Sequence, residues 1–113
     1  MEENTKKQFP YFEEIKRHLA ITWDDEVTNE TIIDYIVDGK NHLMTLCGDF
    51  SIDFNTDLDA KKLLKEYCRY ARNLSIEAFN QNFADDILRL QLKYAFNDTS
   101  ETPNISWWYF KIL

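Results

Sequence analysis

Glycine, proline and cysteine each occur only twice in the 113 residues, and no apolar run is long. The scarcity of glycine and proline removes the punctuation that a strand-and-turn protein needs, which points to helices. Gly39 and Gly48 alone cannot build a phosphate-cradling loop or a dinucleotide fingerprint. Cys47 and Cys68 stand singly, without a C-x-x-C spacing, so the expectation is two reduced, buried thiols and no disulfide framework. No stretch approaches the ~20 apolar residues of a membrane span, and MEENTKKQFPYF lacks the h-region of a secretory signal. A protein working inside a cell, or in a particle assembled there, is expected, with no membrane contact.

What is present is a chain 44% hydrophobic and 15% aromatic, too apolar for disorder and of single-domain length. Such a chain buries roughly two thirds of its unfolded surface, enough for one core without staples. The net charge of -7 is unevenly placed. Residues 19–60 carry ten acids against Lys40 alone, whereas residues 61–73 set Lys61, Lys65, Arg69, Arg72 and Lys62 against Glu66. An overall acidic field repels a polyanion, which argues against a protein that lives by clamping phosphates.

Helical periodicity organises the chain. Pro10 suits a first helical turn, with Glu13 and Glu14 near the start and Lys16, Arg17 and His18 near the end, so a first helix is predicted over 10–20. ITWDDEVTNE reads as a polar loop, from which Thr28 or Asn29 caps the next helix. Asp24, Asp25 and Glu26 in that loop could hold a cation loosely, but a solvated turn is the better account. In the second helix Ile32, Ile33, Ile36, Val37, Leu43, Met44 and Cys47 share an arc of about 140°, opposite Asp34, Asp38 and Asn41, with Gly48 as the C-terminal stop. Lys40 falls inside the apolar arc and must snorkel past the core or meet a buried carboxylate.

GDFSIDFNTDLD starts like a calcium loop at Asp53, Asn55 and Asp57, then fails, because Leu58 and Leu64 stand where glycine and a bidentate glutamate are needed. A connecting loop is expected instead, with Phe50, Ile52 and Phe54 turned inward and Asp57 capping the third helix. There Leu63, Leu64, Tyr67, Tyr70, Ala71, Leu74 and Ala78 form one arc, and Lys61, Lys65, Arg69 and Arg72 gather on the other side. Rings and cations are thus segregated, which weakens a single-strand-binding reading, since such sites set stacking rings beside their phosphate contacts. Past Asn73, Ile76 and Phe79 cross to the basic side, so the helix bends there or gains a second neighbour. Asn82 is expected to cap a fourth helix, FADDILRLQLKYAF, whose nearly all-round apolar surface suits a central helix or a subunit interface.

The chain reads on through NDTSETPNISWWYFKIL, where Trp107, Trp108, Tyr109 and Phe110 form an aromatic segment that must dock on its own domain, a neighbour or a partner. The expected organisation is a flexible stretch 1–8, a helical domain 9–97 and a linker with aromatic tail 98–113. The fold class is all-α, a small bundle of about four helices with a loop between the third and fourth. No catalytic set converges: His18 and His42 lie on separate helices without zinc spacing, and no nucleophile elbow is present. Neither catalysis nor a cofactor or metal is expected.

The stretches IKRHLAI, TWDDEVTNE, IIDYIVDGKNHLMTLCG and LLKEYCRYARNLSIEAFNQNFADDILRLQLKYA, spanning about residues 12–96, together resemble the head-tail connector proteins of long-tailed bacteriophages and prophages, also called adaptor or head-completion proteins. The resemblance implies an all-helical subunit that assembles as a ring, expected to be dodecameric, beneath the portal. Such a ring extends the channel through which packaged DNA passes without specific binding, and it carries a stopper or tail-completion protein. Its place is the virion, and the host cytoplasm during assembly. The matching positions Arg69, Tyr70, Arg72, Asn73, Phe79, Asn82 and Phe83 fall in the segment that contributes to ring and portal contacts in that family. On this reading the Lys61, Lys65, Arg69 and Arg72 stripe faces the acidic Asp34 and Asp38 side of the next subunit. The alternative is a small helical nucleic-acid-binding protein that uses the same stripe on phosphates.

Overall fold

A computed structural model describes residues 9–48 and 51–96, and among them every regular element is a helix. Phe50, expected to turn inward, and the segments 1–8 and 97–113, including Trp107, Trp108, Tyr109 and Phe110, lie outside the described residues.

The first helix among the described residues, α1 (Phe12–His18), is shorter than the one predicted over 10–20. It buries Phe12, Ile15 and Lys16 on one face, and the flanking Phe9, Tyr11, Leu19 and Ile21 are buried beside them. Its end is a Schellman turn, in which Ile21 N–H donates to Lys16 C=O at 3.1 Å and Ala20 holds φ 59°. The second helix, α2 (Glu26–Leu46), begins one turn before the expected caps: Asp25, not Thr28 or Asn29, accepts from Thr28 N at 3.0 Å. Thr28 contributes its hydroxyl to the same carboxylate at 2.9 Å. Ile32, Ile36, Gly39 and Leu43, spaced four, three and four apart, form the buried stripe. Gly48, at φ 81°, follows the helix end as the periodicity predicts.

The third helix, α3 (Leu58–Arg72), is capped by Asp57, whose side chain accepts from Ala60 N at 3.1 Å. It packs against all four other helices and is the central element, a position the sequence had suggested for the last helix. Two faces of α3 are covered, which is why Lys61 and Cys68 are buried along with Leu63, Leu64, Tyr67 and Ala71. Close approach to α2 is possible because Gly39 has no side chain: a Cβ there would lie 2.7 Å from Leu64 Cδ1 and 2.8 Å from Tyr67 Cδ1. The bend expected past Asn73 is a full break. Leu74 takes φ 56°, Ser75 N–H reaches back to Tyr70 C=O at 2.9 Å, and a separate short helix, α4 (Ile76–Asn82), follows. The last helix among the described residues is α5 (Ala84–Phe96), so these residues form five helices rather than about four. Asn82 ends α4 and does not cap α5; its side chain donates instead to Tyr70 Oη at 2.9 Å.

The α5 surface is also less enclosed than its composition suggests. Ile87, Leu90, Gln91 and Ala95 are buried, while Leu88 and Leu92, one turn apart, are exposed. Gln91 sits in the core flank because its side-chain amide donates to Leu46 C=O at 2.9 Å, closing an orphan carbonyl of α2. Cys47 and Cys68 are free and buried, and burial pushes their thiols up to about 11 and about 12, so both are inert at neutral pH. Among the described residues no helix is long and apolar enough to cross a membrane.

Candidate functional site

The basic stripe of α3 was expected on an open face, and the structure places α1 there. Lys61, buried, points its amine at both carboxylate oxygens of Glu14 at 3.3 Å. Lys65 reaches the same carboxylate at 3.2 Å. Hydrogen bonds from Lys65 and Lys61 hold the Glu14 carboxyl below the usual range. One turn on, Glu66 is shared by His18 of α1 at 3.1 Å and by Arg69 at 2.6 Å, and the Arg69 guanidinium also lies over the Tyr70 ring. Arg72 donates to the Leu19 carbonyl at the end of α1 and stacks over Trp23 at 6.0 Å. Lys16 faces the other way from α1, toward Asp24 and Asn29 at the start of α2.

Each of the four predicted stripe residues therefore meets an acceptor in its own chain. The placement of Lys61 opposite the core is corrected for a physical reason: α1 is itself part of the core, and its acidic edge needs cations within reach. The sequence holds the signal in Glu13 and Glu14 near the start of a short helix, but 47 residues separate Glu14 from Lys61 and no local pattern joins them.

Phe79, Asn82 and Phe83 are also turned to their own subunit. Phe79 is fully buried and forms edge-to-face contacts with Tyr67 at 5.4 Å and Tyr70 at 6.0 Å. Phe83, partly buried, joins the same cluster through Tyr70 at 5.7 Å, and His42 lies against Tyr67 at 5.4 Å. These rings fix the α3–α4 corner by packing. Lys40 resolves its awkward position by snorkelling over the Phe9 ring at 5.3 Å.

Asp57 is the residue whose importance the sequence understated. Besides capping α3 it accepts from Lys93 at 3.0 Å and from the Tyr94 hydroxyl, which ties the start of α3 to the end of α5. Burial alone would raise its carboxyl; the bonds from Tyr94, Lys93 and Ala60 N–H outweigh that and hold it below the ordinary value. Asp53, the start of the calcium-like pattern, spends its side chain on Asn55 N at 3.0 Å. No three His, Cys, Asp or Glu side chains among the described residues are gathered as a metal ion would require.

The face left open is the acidic one. Glu30, Asp34 and Asp38 are exposed and follow one another at four-residue spacing along α2, with exposed Val37 and Asn41 beside Asp38 and Asp34 on the same side. Among the described residues none of the three carboxylates forms an ion pair. This unpaired charge is carried by α2, whereas each cation of the α3 stripe already meets an acceptor, with Arg69 and Arg72 still exposed to solvent. Comparison with protein-family models, with characterised proteins and with solved structures finds no match.

Proposed function

We propose that the chain is a head-tail connector subunit of a long-tailed bacteriophage or prophage. Copies form a ring beneath the portal, extend the DNA channel, and offer a platform for a stopper or tail-completion protein. The function is structural and non-catalytic. The observation that carries this reading is the fate of the charges: Lys61, Lys65, Arg69 and Arg72 of α3 each meet an acceptor of the same subunit, and the Glu30, Asp34 and Asp38 row faces outward. An outward acidic row suits contact with basic protein surfaces and does not retain a passing duplex. The resemblance over about residues 12–96 supplies the class, and the helical order supports it. The nucleic-acid reading draws no support from this arrangement, because its phosphate contacts would have to break four intrachain interactions first.

The test is a pull-down of the purified chain with the portal protein of the same phage or prophage, followed by electron microscopy of the eluate. A ring stacked on the portal is expected, and its rotational symmetry gives the number of subunits. Absence of binding, together with salt-sensitive retention of DNA, would overturn the proposal. Four phosphate contacts by the stripe would give a log-log salt slope of about -3.6.

A further inference from the structure

On the side of α3 away from α1, a groove of about 380 Å³ runs between α3 and α5. Half-buried Phe83 is the apolar side chain open to it, the buried Leu63 and Leu90 lie beneath, and its rim carries Lys62, Arg89 and Lys93. The rim also holds Asp59 and Asp86, and these already neutralise two of the cations: Arg89 lies 2.9 Å from Asp86, and Lys93 lies 3.9 Å from Asp59. A phosphate-bearing polymer is poorly served by such a mixed rim. An aromatic ring suits it better, because it can pack edge-to-face on Phe83 while its own face accepts a cation from the rim.

The chain itself supplies such rings. Lys93, at one end of the groove, is a single turn from Phe96, where α5 ends, and residues 104–113 hold Trp107, Trp108, Tyr109 and Phe110. The ten residues 97–106 reach up to about 33 Å when extended, whereas the groove from residue 93 back to residue 83 is only about 15 Å long. We propose that this groove is the docking site of the chain's own aromatic segment 104–113, folded back antiparallel to α5. Docking there keeps the aromatic cluster out of water in the free subunit. The proposal concerns the isolated chain and does not depend on the connector reading.

The experiment uses the full chain with Trp23→Phe, which leaves Trp107 and Trp108 as the only tryptophans. Trp23 is about half exposed on a loop, so this background keeps its core. Acrylamide quenching is measured with and without Lys62→Glu/Arg89→Glu, two exposed positions outside the core. Shielded tryptophans are expected in the background. Removing two ring–cation contacts should move the docked-to-free ratio by about five- to thirty-fold. In parallel, amide chemical shifts of the full chain are compared with those of Trp107→Ala/Trp108→Ala. Differences centred on Leu63, Phe83 and Leu90 are expected. Fully quenched tryptophans in the background, or shift differences confined to the tail, would overturn the proposal. Shielding that grows with protein concentration would assign the groove to a second copy's tail and overturn docking within one chain.

Discussion

The basic face of α3 and the acidic face of α2 lie on packed neighbouring helices, and they end differently. The basic face is covered by α1, so Lys61 and Lys65 close on Glu14, and Arg72 closes on the Leu19 carbonyl. Among the described residues no helix lies over the acidic face, and Asp34 and Asp38 stay exposed. Charge clustering in a sequence therefore does not show which cluster faces a partner; what decides is which face a short element covers. Here the seven residues of α1 turn the Lys61 and Lys65 end of a candidate binding stripe into internal structure, while Arg69 and Arg72 stay exposed.

The contrast is broken most severely by Lys61→Glu. Its side chain is only 11% exposed and its partner Glu14 37% exposed, so reversal sets two carboxylates against each other in a seam water reaches from one side. Removing a partner from a fully buried pair costs 3–5 kcal/mol, and the wet edge puts the expected loss near the low end, about 3 kcal/mol. Urea unfolding measures it. A loss under about 1 kcal/mol would make the seam an ordinary surface contact and erase the distinction between the two faces.

Asp57 sharpens the comparison from within the acidic half of the chain, because it is an enclosed carboxylate among open ones. Asp57→Asn keeps a good capping residue but gives up the charge that Lys93 and Tyr94 address. A loss of about 1–2 kcal/mol at neutral pH is expected. The pH dependence has a definite sign. The folded-state value of Asp57 lies below the ordinary one, so its stabilisation is complete above about pH 4 and is lost as pH falls through the depressed value. The variant should show a shallower fall of stability in acid; an unchanged acid limb would show that other carboxylates govern it.

Much of the fold was legible. The buried stripe of α2, the Asp57 cap, the Gly48 stop and the inward Ile52 and Phe54 all follow from spacing and residue type. The break after α3 was only half legible, since the wheel showed the register failing past Asn73 but no glycine marked a stop. Among the described residues, two of the three left-handed positions after helices are occupied by Ala20 and Leu74. Leu74 is 90% exposed, so no packing compensates its backbone conformation. Leu74→Gly is expected to raise stability by about 0.5–1 kcal/mol, the relief of left-handed strain less the entropy of the added glycine. A loss of stability would mean that its side chain makes a contact in the folded chain. The charge seam was the least legible feature, because Glu14, Lys61 and Leu19 are brought together only by the docking of α1.

The smallest expected effect on the subunit is the one that tests the open face. Asp34→Lys/Asp38→Lys reverses two exposed charges that form no ion pair among the described residues, so stability should stay within about 0.5 kcal/mol of the parent. Ring formation on the portal should fail under the connector proposal, since a basic contact surface would now meet lysines, and like charges across an interface are strongly unfavourable. Thermal unfolding and electron microscopy of the same preparation separate the two readouts. If the double variant unfolds as readily as Lys61→Glu, the acidic row belongs to the subunit's own stability. If it is stable and still assembles, the contact lies elsewhere, and exposed Leu88 and Leu92 on α5 become the next surface to change.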